Sequence, residues 1–547
     1  MAKTQITRLL SILLLALTFI TIILQSIHSA NSWTQDLGRH LKLGEIILNT
    51  NNLPRTNLFS YTFPDYPFIN HHWLAEVIFY LIFKTTSNSG LVITKIIILS
   101  LAFLIPILQS QKNSSLPLTL LMATLVLPIY LERTDIRPEI FCFLLLSLLF
   151  YLLENARPHQ YLVLTPLIMV LAINLHIYFA ALVALIIFFT LDKIAHRQRP
   201  FFHCAFFFLA CLSLLITPNG IKHVLHPLSV LGKSSGYQIV ENQSPFFLEH
   251  LMSKDNIIFL KLSLIISFIS IIYLLKKKRF FYCLSLIFFT LLAILQIRNF
   301  PLYALILIPI SSFSLFQITK PWQKKRFYPL TLNLLLLSTL LFQICSLITF
   351  IHPTTISAKV NSSSISFQIP NRIDTPFRFF QENQLKGPIF NNFDIAGLII
   401  YYLYPQEKVF VDNRPETYPI EFFQATYIPM QQNPALFKQI DDQYQFQTII
   451  FSHTDITPWA IQFLSSITNN PEWSIVYLDE RIVILVKNSS NPSLVSNFAI
   501  TPENAKAKLS PLFQTNDANI LARLQHFFNI IGWSAVEQYT SQKLKFI

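Results

Sequence analysis

Residues 33–80 read WTQDLGRHLKLGEIILNTNNLPRTNLFSYTFPDYPFINHHWLAEVIFY. The stretch follows directly on an apolar run, 9–27, and is the longest charged and polar interruption before residue 200. It carries Asp36, His40, Glu45, Asp65, His71, His72 and Glu76. That density of titratable groups does not recur between the apolar segments that follow. A polar stretch framed by apolar blocks reads as a loop outside a membrane, and its ionisable groups make it the place to look for chemistry.

The rest of the composition agrees. Of 547 residues, 52% are hydrophobic and 13% charged, about half the charged fraction of an ordinary soluble domain. The apolar residues come in long blocks, which predicts a polytopic membrane protein. The net charge of +13 is therefore no nucleic-acid signal: Lys and Arg gather in short loops between apolar blocks, where they set topology. Cys142, Cys204, Cys211, Cys283 and Cys345 all lie inside apolar blocks, so no disulfide framework is implied.

Working outward, Lys3 and Arg8 flank the first apolar run, and His28 stands where signal cleavage would need a small residue. An uncleaved first helix with a cytoplasmic N-terminus is expected. Residues 31–85 then lie outside, with 73–83 too short to span and amphipathic enough for the interface. Further spans are predicted at 90–108, 116–130, 139–153, 160–173, 177–191, 202–217, 257–275, 280–297, 301–318 and 329–351, about eleven in all. The loops that this order makes cytoplasmic hold Lys112, Arg157, Lys193 with Arg197 and Arg199, Lys276 to Arg279, and Lys320 with Lys324 to Arg326. All five are basic, as the positive-inside rule requires. An odd span count puts 352–547 outside as well.

The unusual polar residues then fall on the outer side. They are Arg133, Asp135, Arg137 and Glu139; Asn174 and His176; Asn219; Glu241 and Asn242; and Arg298 and Asn299. Ionisable groups at membrane depth usually face a cavity or a partner, so one outer cavity rimmed by acids, histidines and arginines is expected. Arginines there suit a phosphate, which the guanidinium fork holds bidentately. A carboxylate suits a general base acting on a hydroxyl. Together they describe attack of an acceptor hydroxyl on a sugar whose leaving group is a lipid phosphate.

More specific strings are Asp36-Leu-Gly-Arg-His40-Leu with Gly44-Glu45-Ile, Leu53-Pro-Arg-Thr-Asn-Leu-Phe-Ser-Tyr61-Thr, and Asn70-His-His-Trp-Leu-Ala-Glu76. Arg137-Pro-Glu, Asn174-Leu-His176, Pro218-Asn-Gly, Arg298-Asn-Phe-Pro and Val411-Asp-Asn-Arg-Pro-Glu-Thr-Tyr418 follow. Over most of its length the chain resembles GT-C-class polytopic glycosyltransferases, specifically bacterial members related to the lipopolysaccharide- and lipid A-modifying sugar transferases. The resemblance implies a polyprenyl-phosphate sugar donor, an acceptor at the outer face and Asp36 as the catalytic carboxylate. The chain departs from that group at Gly38-Arg39, where aromatic residues are common, and at His72, where an acid is common.

The candidate substrate-binding residues are His40, His71, His72, Glu76, Arg133, Asp135, Arg137, Asn174, His176, Glu241 and Arg298. Asp36 has an ordinary alternative as a helix N-cap, and each arginine one as a topology or snorkelling residue. No cofactor is certain. A divalent metal ion on Asp36, His71 and Glu76 suits the donor types, though no fixed metal spacing is present.

The C-terminal part is expected to be separate: residues 1–351 form the GT-C-like membrane domain, 352–369 a linker, 370–488 an extracytoplasmic α/β domain and 489–547 a helical tail, weakly tetratricopeptide-like. Strands are predicted at 387–391, 408–412 and 448–452, with a hairpin over 473–486. Asn392, Asp394, Asp412 and Arg414 fall at strand ends.

The predicted function is a glycosyltransferase, hexosyl- or pentosyl-transferring, of the cytoplasmic (inner) membrane. Its partners are the lipid bilayer, a polyprenyl-phosphate sugar, and a glycan, lipid or protein acceptor. The alternatives are a glycan ligase or polymerase of the same class, or a non-catalytic transporter or anchor. A transporter should show repeated halves and broken midplane helices, and the sequence shows no such repeat.

Overall fold

The computed structural model describes residues 2–28, 36–233, 236–237, 239–251, 256–325, 327–351 and 373–545. The expected linker, 352–369, lies outside these. The chain divides into two compact units.

The first unit comprises Met1–Ala30, His71–Ser229 and Gln238–Ile351. It is helical throughout: α1 (Ala2–His28), then, after α2 (Leu37–Thr50) of the other unit, α3 (Trp73–Ser110), α4 (Leu116–Tyr130), α5 (Glu139–Asn155), α6 (Pro158–Leu175), α7 (Phe179–Ala195), α8 (Pro200–Ser213), α9 (Ile221–Lys233), α10 (Pro245–Leu251), α11 (Asn256–Lys276), α12 (Phe280–Leu295), α13 (Phe300–Thr319) and α14 (Phe327–Ile351). Each apolar run read from the sequence falls on one of these helices. The segment 73–83 is the opening of α3, and the helix breaks at Ser87, whose φ is 58° and ψ −158°.

The innermost helix is α13. Its residues from Leu302 to Ile308 are at most 1% exposed, as expected of a helix apolar all round. The outer helices turn large apolar side chains outward: Phe208 is 68% exposed, Phe268 66% and Leu334 58%. Water would penalise such surfaces and lipid does not. Among the described residues six helices are long and apolar enough to cross a membrane, and α4, α8 and α12 are shorter apolar helices. The protein is a helical membrane protein.

Hydroxyls satisfy one another between helices, as hydrocarbon demands. Tyr303 Oη lies 2.8 Å from Ser267 Oγ and 3.0 Å from Ser263 Oγ, and Ser147 Oγ donates to the Ala102 carbonyl at 2.8 Å. At the end bearing the basic loops, Tyr282 Oη donates to Glu154 at 2.7 Å.

The second unit comprises Asn31–Asn70, Val230–Tyr237 and His352–Ile547. Its sheet holds β1 (Ile389–Asn391), β2 (Thr448–Ser452), β3 (Trp473–Leu478) and β4 (Ile482–Lys487) in the order β1-β2-β4-β3. β1 and β2 are parallel; β4 is antiparallel to both β2 and β3. Asp479 sets the hairpin turn by accepting the N–H groups of Arg481 and Ile482, each at 2.8 Å. The segment 408–412, expected as a strand, makes only isolated bridges, Val409 to Ile389 and Val409 to Ser60. The second bridge brings the 31–70 stretch onto the C-terminal part: Val409 N–H donates to the Phe59 carbonyl at 3.0 Å and Tyr61 Oη to that of Ile389 at 2.8 Å. Two tail helices, Ala518–Ile530 and Ser534–Lys545, pack together, joined through Gly532 at φ +76°.

Candidate active site

In the first unit the helix connections opposite the basic loops carry one polar network. Arg133 and Arg137 sit between α4 and α5, Glu139 opens α5, Glu241 lies in the short turn Val240–Asn242, and Arg298 in the turn Ile297–Asn299. Arg133 donates to Glu139 Oε1 through Nε at 2.8 Å and Nη2 at 2.6 Å. Its Nη1 lies 2.6 Å from Glu241 Oε1. Arg137 Nη1 reaches both oxygens of Glu241 at 2.7 Å, with Asp135 a looser neighbour at 4.0 Å. Arg298 donates to Tyr178 Oη at 3.2 Å and to Asn242 Oδ1 at 3.0 Å.

Four histidines adjoin this network. His71 and His72 precede α3, His176 follows α6 and His226 is on α9. His72 stacks on His176 with ring centres 5.1 Å apart, and His71 lies 3.7 Å from His72 and 4.9 Å from His226. His176 Nε2 is 3.9 Å from Glu139 Oε2, and its Nδ1 accepts the Tyr178 N–H at 3.2 Å, which fixes its tautomer with the proton on Nε2. Asn174 is engaged at both ends of its amide: it accepts from Trp73 Nε1 at 2.8 Å and donates to the carbonyls of Val170 and Ile216 at 2.8 and 2.9 Å.

Charge decides what these groups can do. Burial by itself would raise the carboxyl of Glu241, but Arg137 and Arg133 outweigh it and hold the group well below the usual carboxylate range. So weak a base is a poor proton acceptor. Burial likewise opposes the Arg133 charge, and Glu139 and Glu241 overcome it. The Arg133 fork is spent on carboxylates, so it positions rather than binds. The three arginines are matched by Glu139, Glu241 and, at 4.0 Å, Asp135, but Arg298 uses only Nε and Nη1 in its hydrogen bonds to Tyr178 and Asn242, which leaves its fork only partly spent. This suits a phosphate.

In the second unit Asp36 precedes α2 and makes no N-cap hydrogen bond. Its Oδ1 instead accepts from Arg39 Nη2 at 3.3 Å and from Asn413 Nδ2. His40, 2% exposed, has Nε2 3.4 Å from Arg39 Nη2. Of the strand-end residues, Asn392 donates to Asp455 at 3.0 Å and Asp412 pairs with Arg414; both are internal contacts.

Asp36 and His40 thus belong to one unit, and His71, His72 and Glu76 to the other. For a metal, the first unit offers His72 and Glu76, whose ligand atoms lie within 4.8 Å of one another. Imidazole and carboxylate are a fitting donor pair for a divalent ion.

Tyr178 and His226 are neighbours in this network that the sequence reading did not name, while Glu139 and Asn242 were placed on the outer side but not among the candidate substrate-binding residues. For His226 a signal existed: His223 and His226 are three apart and share a helix face, and both are buried.

No family model and no curated protein matches the chain. Among solved structures it is similar to the oligosaccharyltransferase of Archaeoglobus fulgidus. Tethered to an acceptor peptide containing the NVT sequon, that structure superposes with a TM-score of 0.51 at 11% identity, covering 82% of this chain and 70% of that one. For its apo form the values are 0.50, 12%, 83% and 70%. For its complex with Zn and sulfate they are 0.50, 11%, 95% and 83%. At such identities the likeness is one of fold: the chain is an α-helical polytopic membrane protein with a small C-terminal sheet, folded like that oligosaccharyltransferase.

Proposed function

We propose that the protein is a membrane glycosyltransferase that moves a sugar from a polyprenyl-phosphate-linked donor to an acceptor hydroxyl at the outer face of the cytoplasmic membrane. One observation carries the reading: Arg137, Arg298 and four histidines gather at the helix ends opposite the basic loops, in a fold shared with an oligosaccharyltransferase. Arg298 and Arg137 hold the phosphate, and Arg133 keeps Glu139 and Glu241 in place. Asp36 takes the proton of the acceptor hydroxyl as its oxygen bonds to the anomeric carbon. The bond from that carbon to the phosphate oxygen breaks, and polyprenyl phosphate leaves with the bonding electrons. The transition state is oxocarbenium-like, so carboxylates also stabilise its developing positive charge. A divalent ion on His72 and Glu76 would neutralise phosphate charge. The oligosaccharyltransferase likeness also supports a second reading, transfer of a preassembled glycan to the acceptor.

The test is donor binding. Arg298→Lys keeps the charge and removes the fork. A panel of polyprenyl-phosphate sugars should bind this variant about tenfold more weakly than wild type, a loss of ~1.4 kcal/mol. Equal binding by both removes Arg298 from the phosphate site.

A further inference from the structure

The segment 411–418 meets the start of α2 at Asp36. Arg414, 2% exposed, donates through Nε to Asp412 Oδ1 at 3.1 Å and through Nη2 to Asn57 Oδ1 at 2.9 Å. Its guanidinium lies over the rings of Phe68 at 4.5 Å and Phe59 at 5.3 Å. Asp412 is wholly buried and accepts the Arg414 N–H at 3.0 Å. Both neighbours of Asn413 are therefore locked, and the backbone carrying Asn413 has little freedom.

Asn413 closes a triangle of side chains. Its Nδ2 donates to Asp36 Oδ1. Its Oδ1 accepts from Arg39 Nε at 3.0 Å, and Arg39 Nη2 donates to the same Asp36 oxygen at 3.3 Å. Because a guanidinium only donates, Arg39 fixes which end of the amide faces Asp36. The approach of α2 depends on Gly38, where a Cβ would sit 2.5 Å from the Gly397 carbonyl oxygen and 3.0 Å from Tyr401 Cβ. Gly38 and Arg39 are two of the positions, with His72, at which the chain departs from the family it resembles. Here one lets α2 close on the helix Ala396–Leu403, and the other completes the triangle.

We infer that Asn413, supplied by the C-terminal domain and held rigid by Asp412 and Arg414, is the positioning residue of the Asp36 carboxylate. It aims Asp36 Oδ1 and does not itself touch substrate. The inference rests on the proposed role of Asp36 as the base.

The test is kcat/KM against pH in a polyprenyl phosphate release assay, with wild type, Asp36→Asn, Asn413→Ala and Asn413→Asp in the full chain. Each variant is first shown by thermal unfolding to be folded. Asn413→Ala should lower kcat about tenfold or more with KM little changed, since misplacing a reacting group costs up to about a hundredfold. Asn413→Asp sets a carboxylate against Asp36, and the acid limb of the profile should move up by about one pH unit or more, because a like charge raises a carboxyl pKa. A change common to folding alone would not move that limb. If Asp36→Asn abolishes release while Asn413→Ala keeps kcat within about twofold and Asn413→Asp leaves the limb in place, Asn413 does not position Asp36, and the role of Asp36 stands. If Asp36→Asn releases as well as wild type, the role of Asp36 falls, and this inference with it.

Discussion

Replacing Arg133 by Met is the most informative structural perturbation. Arg133 is 5% exposed and makes three charge-assisted contacts of 2.6–2.8 Å, two to Glu139 and one to Glu241. Met approximates its aliphatic stem without the charge. Glu241 keeps Arg137, so its loss is partial. Glu139, 4% exposed, keeps, among the described residues, His176 at 3.9 Å and the more distant charge of Arg298. One buried carboxylate is thus left largely uncompensated, and removing one partner of such a pair costs about 3–5 kcal/mol. At roughly 2 °C or more per kcal/mol, thermal unfolding in detergent or nanodiscs should show Arg133→Met melting about 6 °C or more below wild type. Adding Glu139→Gln removes the stranded charge, so the double variant should recover at least about half of that loss. A single variant within about 2 °C of wild type, or a double variant no better than the single, would refute the account of the network as a paired core.

Gly38→Val should destabilise the second unit by about 1–3 kcal/mol through overpacking, seen as a lower melting temperature, since its Cβ has only 2.5 Å to the Gly397 oxygen. Burial, with the nearby His226 charge, lowers the pKa of His223 to about 4 from 6.5. The folded state therefore favours neutral His223: its contribution to stability is complete above about pH 6.5 and is lost as pH falls towards 4. Glu241, also depressed, adds a loss in the same direction, below its ordinary value of 4.5. Melting temperature should fall between pH 7 and 4, and less steeply in His223→Gln; identical slopes would remove His223 from that explanation.

The membrane helices were legible because each is a long apolar run between basic or polar loops, and α4 was read to the residue. The separation of 73–83 from the span beginning at 90 was read as well, but not that the two form one helix broken at Ser87, since nothing in Thr86-Ser87-Asn88 demands the break there. The strand expected at 408–412 carried a sound β pattern, yet its partners supply only isolated bridges, and pairing is a property of the partner as much as of the strand. The arginines, Glu241 and three of the four histidines of the network were read as one set from topology. What stayed hidden were contacts of long sequence separation. Asn413 and Asp36 are 377 residues apart, and Arg414 and Asn57 are 357 apart. Tyr178 gave no sign either, because a tyrosine at a helix start is ordinary until Arg298 is found against it.

Sugar transfer with Asp36 as the base is put to the test by incubating purified wild type and Asp36→Asn, shown to be equally folded, with polyprenyl-phosphate sugars and following release of polyprenyl phosphate. Wild type should release polyprenyl phosphate and the variant should lose about 100-fold or more, the usual contribution of a general base. Equal release by the two proteins would contradict it.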